Sequence, residues 1–280
     1  MNGEYSLIEF KFRKIVIQAI LLGGLMLTLT PFFWMISTSF KSKAGIHAIP
    51  PQWIPAEPTV AHYRELFEQI NFLKYFINST IVAVAVTVLG LFFNSVAGYA
   101  FAKFKFPGRD RIFAILIIAL MIPSQVTMMP VFLILKKFGL INTYMGLIVS
   151  GTVSVYSIFL MRQFVLTIPN DLIESARIDG CSEFGIYWRI IIPLCKPVLA
   201  TLGIFTFMSS WNSFLWPLIV MIREDMYTLP VALANLSGQH AENFGLIMAG
   251  AVVVVIPVII VFVFAQKYII EGISTTGLKG

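Results

Sequence analysis

Charge is what this 280-residue chain has least of. Asp, Glu, Lys and Arg make up 12% of it, against 58% hydrophobic residues, where soluble domains carry about a quarter charged residues. Six runs, 15–40, 75–102, 112–135, 138–161, 197–222 and 243–266, hold none of these four types and no His; each is 24 to 28 residues long. Carriers driven by protons or ions generally need ionisable groups inside the membrane, so their lack disfavours a self-powered transporter and an intramembrane enzyme. No G-x-x-x-x-G-K-[ST] occurs, so no phosphate-cradling loop is present, and there is no nucleophile elbow or zinc-binding helix. Cysteine is scarce too. Cys181 and Cys195 stand at no metal-ligand spacing with His47, His62 or His240 and read as free thiols in a reducing compartment. No aromatic-basic constellation accompanies the net charge of +6; nucleic acid is not expected, and Lys and Arg are read as setting orientation.

What is present is apolar length. A helix crossing a bilayer needs about 20 apolar residues, so each run suffices and six crossings put both termini on one side. Lys11, Arg13 and Lys14 precede the first run, but its apolar part is too long for a cleaved signal and no A-x-A site follows; it reads as a retained span. With the N-terminus inside, inner segments hold 13 Lys and Arg (three before the first run, four in 103–111, four in 162–196, two after 266) and outer segments 7 (four in 41–74, two at 136–137, and Arg223). That bias places 163–196 in the cytoplasm and 41–74 outside.

Within the spans, polar and small residues cluster. Thr28, Thr30 and Pro31 loosen the first near its outer end. Outside, Pro50, Pro51, Pro55 and Pro58 make an irregular passage, after which Thr59 caps a short helix with Tyr63, Leu66, Phe67 and Ile70 along one face. That loop meets a partner or is simply solvated. The third span holds MIPSQVTMMP, residues 121–130, whose two prolines predict a kink against protein or a water-filled cavity. The fourth is small and hydroxylated, with Gly146, Ser150, Gly151, Thr152, Ser154 and Ser157, which suits close helix packing or ligand contact. The fifth holds MSSWNSFLWP, residues 208–217: an interfacial aromatic belt, or a carbohydrate-facing patch in which indoles meet sugar C–H faces and an amide meets hydroxyls.

The longest charged insertion is 170–193, NDLIESARIDGCSEFGIYWRIIIP. It reads as two short helices. Asn170 caps the first after Pro169, Asp171 and Glu174 favour its dipole, and Glu174 pairs with Arg177 at i, i+3. At 100° per residue, Leu172, Ala176, Gly180 and Ile173 fall at about 0°, 40°, 80° and 100°, one narrow smooth face. Gly180 supplies a left-handed stop. Ser182 caps the second helix, with Phe184, Tyr187, Trp188 and Ile191 as its stripe before Pro193. An amphipathic helix on the lipid surface explains the second helix; the small residues and acids of the first fit a docked partner better.

ESARIDG followed by RIIIP resembles the EAA loop of ABC-importer permeases, with Glu174, Ala176, Gly180, Ile190 and Pro193 in register; Ser175 and Ile192 depart mildly from the pattern. FKFPGRDR, SSWNSFLWPL, YTLPVALANL and QKYIIEGISTTGLKG fit the carbohydrate-uptake branch, in particular its smaller, maltose-type subunit, so the resemblance covers nearly the whole chain. It implies an all-α membrane protein of six transmembrane helices with the type I ABC importer permease fold. It also implies one membrane domain over 1–280 with both termini cytoplasmic, multi-pass in a bacterial inner membrane. The implied partners are a second homologous permease, two ATPase subunits, an extracytoplasmic sugar-binding protein and membrane lipid. The chain would bind no cofactor or metal; ATP and Mg would sit in the ATPase. Glu174, Ser175, Ala176, Arg177, Asp179 and Gly180 would carry the ATPase contact, and the tail to Gly280 would approach it too.

For the pathway, Asn78, Asn94, Gln125, Trp211 and Asn212 are the expected sugar-facing or gate-lining residues. The cargo reading is a sugar; the alternatives are glycerol phosphate or a polyol on the same machinery, or a passive channel working alone.

Overall fold

The structure, a computed structural model, describes residues 2–68 and 70–277, with side chains at 13–68 and 70–266; the expected ATPase approach of the tail lies outside the described side chains. Among the described residues all regular structure is helical, with no strand. The elements are α1 (Asn2–Ser39), α2 (Lys43–Ile46), α3 (Ala61–Glu68), α4 (Phe72–Lys103), α5 (Arg109–Ala119), α6 (Ser124–Lys137), α7 (Tyr144–Thr152), α8 (Val155–Leu166), α9 (Asn170–Ile178), α10 (Glu183–Ile186), α11 (Ile192–Leu194), α12 (Lys196–Trp211), α13 (Leu215–Val220), α14 (Leu229–Gln239) and α15 (Phe244–Gly277).

Three stretches are single helices long and apolar enough to cross a membrane: Arg13–Ser39, Phe72–Lys103 and Phe244–Gln266. Three further helix pairs pass the same test together but are bent at a short break: Arg109–Ala119 with Ser124–Lys137 (107°), Tyr144–Thr152 with Val155–Leu166 (41°), and Glu183–Leu194 with Lys196–Trp211 (81°). The first two overlie the expected third and fourth crossings; in the last, only Lys196–Trp211 falls on the expected fifth, 197–222, while Glu183–Leu194 belongs to the charged insertion. By length and composition the described residues thus offer three single-helix spans, and up to six if each bent pair is one span. The breaks sit where backbone bonds are missing. The third span stops at Ala119 and restarts after Pro123; proline has no N–H and pushes its predecessor out of the α region. Pro130, expected to kink the chain, lies inside α6. Pro31 lies inside α1, which runs through it to Ser39, against the expected loosening. There the Thr28 and Thr30 hydroxyls bond back to the Gly24 and Met26 carbonyls of their own helix.

The chain falls into two compact units, Met1–Asn71 with Asn235–Val253, and Phe72–Ala234 with Val254–Gly280. In the first unit the end of α1 is tied to the loop after it. The Ser37 hydroxyl donates to the Trp53 carbonyl at 2.6 Å, Trp34 meets Trp53 edge-on at 5.2 Å, and the Lys41 ammonium lies 3.8 Å from the centre of the Trp34 ring. His62, buried on α3, donates to the Lys41 carbonyl at 2.9 Å and faces Gly245 so closely that a Cβ there would overlap its ring. The packed face of α3 is His62 and Leu66, with Tyr63 half-buried against Phe40 and hydrogen-bonded to Ser39; of the other expected residues, Phe67 is exposed and Ile70 lies beyond the end of the helix.

In the second unit α4 is the central helix, with α7, α8 and α12 against it. Glycines set the approach. A Cβ at Gly98 would come within 2.7 Å of Met161, and one at Gly151 within 3.1 Å of Val86. This is the small-residue packing expected in membranes.

Candidate functional site

Both candidate sites lie in the second unit. The first is α9 and its surroundings. Pro169 holds the N-cap position with no side-chain capping bond. Asn170 is already helical, and its Oδ1 accepts from Lys103 Nζ at 2.8 Å while the same ammonium donates to the Ile168 carbonyl at 2.6 Å. Asn170 is thus a tether to the end of α4 and not the expected cap. The far end of α9 closes as the sequence predicted. Gly180 has φ +79°, its N–H donates to the Arg177 carbonyl at 3.0 Å, and Cys181 N–H donates to the Ala176 carbonyl at 2.9 Å. That pair of bonds is a Schellman motif, which needs a left-handed residue. Ser182 Oγ then accepts from Gly185 N–H at 3.2 Å and caps α10, as expected.

The expected smooth face is divided. Ile173 and Ala176 are buried in an apolar cluster with Tyr99, Val165, Ile168 and Ile186. Ala176 is therefore not available to a partner; its small side chain lets α9 seat on the body. Glu174, Ser175, Arg177, Asp179 and Gly180 are exposed. So are Leu172 and Ile178, the latter 87% exposed. Ile178 escaped the sequence reading because it lies off the Leu172–Ala176–Gly180 arc.

The expected Glu174–Arg177 pair is replaced: Arg177 Nε donates to Glu183 Oε1 at 2.6 Å, and Tyr99 OH donates to Glu183 Oε2 at 3.2 Å. One carboxylate thus braces α4, α9 and the start of α10. The bond from Arg177, and after it the Tyr99 hydroxyl, hold Glu183 below its ordinary value against the opposing effect of partial burial; the same bond raises Arg177.

The second helix of the loop is also not the single stripe expected. Tyr187–Ile191 is a π turn, with the Ile192 N–H donating to the Tyr187 carbonyl. Pro193 follows, and having no N–H it leaves the Arg189 carbonyl without its helical partner, a usual setting for such a bulge. The added residue rotates the face. Ile186, Tyr187, Ile191 and Cys195 are buried, while Phe184 and Trp188 are exposed.

The second site is a cavity of about 300 Å3 among α4, α7, α8, α12 and α13. Its polar wall is hydroxyl: Ser79, Ser154, Ser157, Thr206, Ser209, Ser210, Ser213 and Thr228, with Tyr156, Phe205 and Trp216 as aromatic faces. No Asp, Glu, Lys, Arg or His is among its lining residues. Some hydroxyls are engaged. Ser79 Oγ accepts from Leu229 N–H at 2.7 Å, and Ser154 Oγ accepts from Ser157 N–H. Thr228 Oγ1 is buried with no hydrogen-bond partner among the described residues, a state that costs free energy unless something else bonds it.

Three of the five expected pathway residues are corrected. Asn78 Nδ2 donates to the Asp225 and Tyr227 carbonyls at 3.1 and 2.9 Å, and its Oδ1 accepts from Tyr144 OH at 2.7 Å. Asn94 bridges the α7–α8 break: its Nδ2 donates to the Thr152 carbonyl and its Oδ1 accepts from Ser154 N–H, both at 3.1 Å. Trp211 is 2% exposed, with its Nε1 donating to the Val254 carbonyl at 3.0 Å between Phe76 and Phe207. All three are buried and bonded to protein, because a buried polar group must find a partner: the two amides take backbone groups at breaks and loops, and the indole takes a carbonyl inside α15. Asn212 and Gln125 are exposed; Asn212 Nδ2 donates to the Met208 carbonyl at 2.9 Å. The signal for the cavity was the Ser and Thr of 150–157, read mainly as packing, and of 206–213, where the expected patch was centred on the indoles and the amide instead of the hydroxyls. Trp216, from the predicted patch, does line it and donates to Ser150 Oγ at 2.6 Å. Thr228 carried no signal.

The family described as "Binding-protein-dependent transport system inner membrane component" matches residues 88–275. The arabinooligosaccharides transport system permease protein AraQ of Bacillus subtilis is 37% identical over 276 residues, covering 97% of this chain and 98% of AraQ. The sulfoquinovosyl glycerol transport system permease protein SmoH of Agrobacterium fabrum is 32% identical over 270 residues, 96% and 93% of the two chains. A bacterial ABC transporter involved in the import of the acidic polysaccharide alginate superposes with a TM-score of 0.81 at 26% identity, covering 90% of this chain and 95% of that one.

Proposed function

The chain belongs to the family of binding-protein-dependent transport system inner membrane components, and from that premise we propose that it is the transmembrane subunit of an ATP-driven, binding-protein-dependent importer of oligosaccharides. It is a transport subunit of the inner membrane and not an enzyme. It acts as one permease domain over 1–280 with both termini cytoplasmic, 41–74 outside and 163–196 inside. A second homologous permease completes the pathway, two ATPase subunits bind ATP and Mg, and an extracytoplasmic binding protein delivers the sugar. Closure of the ATPases is transmitted through α9, where Glu174, Ser175, Arg177, Asp179 and Gly180, joined by Ile178, are free to meet another surface.

The observation that carries the cargo is the hydroxyl-lined cavity. Sugars present hydroxyls that exchange hydrogen bonds with Ser and Thr, and C–H faces that rest on aromatic rings; Tyr156, Phe205 and Trp216 supply such rings. Its volume falls at the lower end of small-molecule sites. Its uncharged wall suits a neutral saccharide. Glycerol phosphate would enter it without a cation to offset its charge, a loss an apolar setting magnifies. Asn212 and Gln125 remain assigned to the pathway as exposed amides.

The test is uptake by proteoliposomes holding the assembled importer, its binding protein and ATP. Labelled neutral oligosaccharides should accumulate in preference to glycerol phosphate and small polyols. Preferential uptake of glycerol phosphate would overturn the cargo reading.

A further inference from the structure

Outside the coupling helix and the cavity, cations concentrate on the turn from α4 to α5. Lys105, Arg109 and Arg111 surround a cavity of about 500 Å3 whose one carboxylate is Asp110. Asp110 is already held by Arg109, Nε to Oδ1 at 2.9 Å. Lys105 and Arg111 are exposed and meet no carboxylate among the described residues. Three cations against one anion leave this cavity with a net charge of +2. Lys105 and Arg109 also wall an adjoining cavity of about 560 Å3, whose far side is Glu174 and Arg177 of α9.

Apolar surface runs on from the cations. Ile112, Ile115 and Ile118 are exposed on α5, with Phe106 beside them on the turn. At three-residue spacing they form one stripe, starting next to Arg111 and about 9 Å long at 1.5 Å per residue. A water-soluble anion would use the cations and ignore the stripe. A soluble acidic protein surface would do the same. An amphiphile with a phosphate head and apolar tails uses both.

We propose that the α4–α5 turn holds the headgroup phosphate of an anionic phospholipid, with its acyl chains lying along the Ile112–Ile115–Ile118 stripe. Basic pockets at the cytoplasmic ends of spanning helices suit such headgroups. The phosphate sits between Lys105, Arg109 and Arg111, away from the carboxylate of Glu174. Through the shared Lys105 and Arg109 it borders the wall formed by α9, so the charge of the surrounding lipid reaches the helix that meets the ATPase. This goes beyond the transport role; the choice of the cytoplasmic leaflet and the link to ATP hydrolysis rest on the orientation and the ATPase contact proposed above, whereas lipid retention is read without them.

The test compares the assembled importer with its Lys105→Gln/Arg111→Gln variant in nanodiscs mixing phosphatidylglycerol and phosphatidylcholine. Native mass spectrometry reads the lipid retained, and ATP hydrolysis is followed as the phosphatidylglycerol content rises. The wild type should retain phosphatidylglycerol selectively and hydrolyse ATP in proportion to its content. The double variant should bind it roughly thirtyfold more weakly, and Lys105→Arg/Arg111→Lys should restore retention. Equal retention by wild type and double variant overturns the proposal. So does displacement of the lipid by millimolar inorganic phosphate, which would mark a free-anion site. Loss of the ATPase from the purified variant also overturns it, by making the cluster a protein docking face. Uptake that persists in the variant without a lipid preference leaves the transport reading intact, so the two can fail separately.

Discussion

Asn94 and Thr228 are both buried polar residues in an apolar body, and their bonding separates their roles. Asn94 replaces two backbone partners lost at the α7–α8 break. Asn94→Leu should leave the Thr152 carbonyl and the Ser154 N–H unbonded, at about 1–3 kcal/mol for each group, and the purified protein should melt at lower temperature in detergent. Thr228 Oγ1 has nothing to lose within the described protein. Thr228→Val should leave thermal stability unchanged or slightly raised, yet raise the KM for sugar by roughly fivefold to tenfold, the loss of one hydrogen bond; an unchanged KM would make the hydroxyl a bystander. Glu183 gives a pH test. Its folded value lies below the ordinary one, so its bond to Arg177 contributes fully above the unfolded glutamate range and is lost as pH falls through the lower folded value. Both side chains are partly exposed, at 41% and 43%, so solvent screens much of the effect. Amide protection across α9 and α10, corrected for intrinsic exchange, should stay flat through neutral pH and drop only below about pH 4.5. A fall between pH 6 and 8 would assign the brace to another group.

At the scale of elements, α9 was legible in the sequence at its ends better than on its faces. Gly180 and Ser182 form the stop and the next cap as predicted, because both depend on local chemistry within a few residues. Which side of α9 faced inward was not legible, since Ile173 and Ala176 are drawn in by Tyr99, Val165 and Ile186, which are distant in sequence. Gly180→Trp is the test of this element. No neighbour lies within 4 Å of a Cβ placed there, and the positive φ makes any side chain strained, by about 1–2 kcal/mol. The protein should still reach the membrane, and sugar uptake should be abolished; unimpaired uptake would remove α9 from the coupling contact. Gly98 tests the α4–α8 pair. Gly98→Leu would drive a side chain into Met161 and the Arg162 backbone, and overpacking of that kind costs about 1–3 kcal/mol. The variant should lose thermal stability, read as earlier aggregation on size exclusion after heating.

For the whole molecule, six crossings were countable from charge alone, because every residue facing lipid obeys the same exclusion of charge. Two of them proved to be bent pairs, and a third bent pair, Glu183–Leu194 with Lys196–Trp211, begins inside the charged insertion and not at the expected 197; of the two prolines expected to kink the third span, only Pro123 stands at its break. The absence of an ionisable group from the six runs predicts that the chain moves no sugar by itself. In liposomes lacking its ATPase and ATP, flux should equal that of empty vesicles; sugar-selective flux would revive the passive-channel reading.

The sequence by itself determined the membrane solvent, the apolar runs that can cross it, the charged insertion at 170–193 and the family motif within it. All of these depend on composition and on spacing along the chain. Tertiary structure decided how the scarce polar side chains are used. Asn78, Asn94 and Trp211 were expected to face a solute, but backbone groups of other elements lie nearer to them and claim their hydrogen bonds. The hydroxyl-lined wall is built instead from serines and threonines, whose grouping around one cavity depends on how α4, α8 and α12 meet, and no single stretch of sequence carries that information.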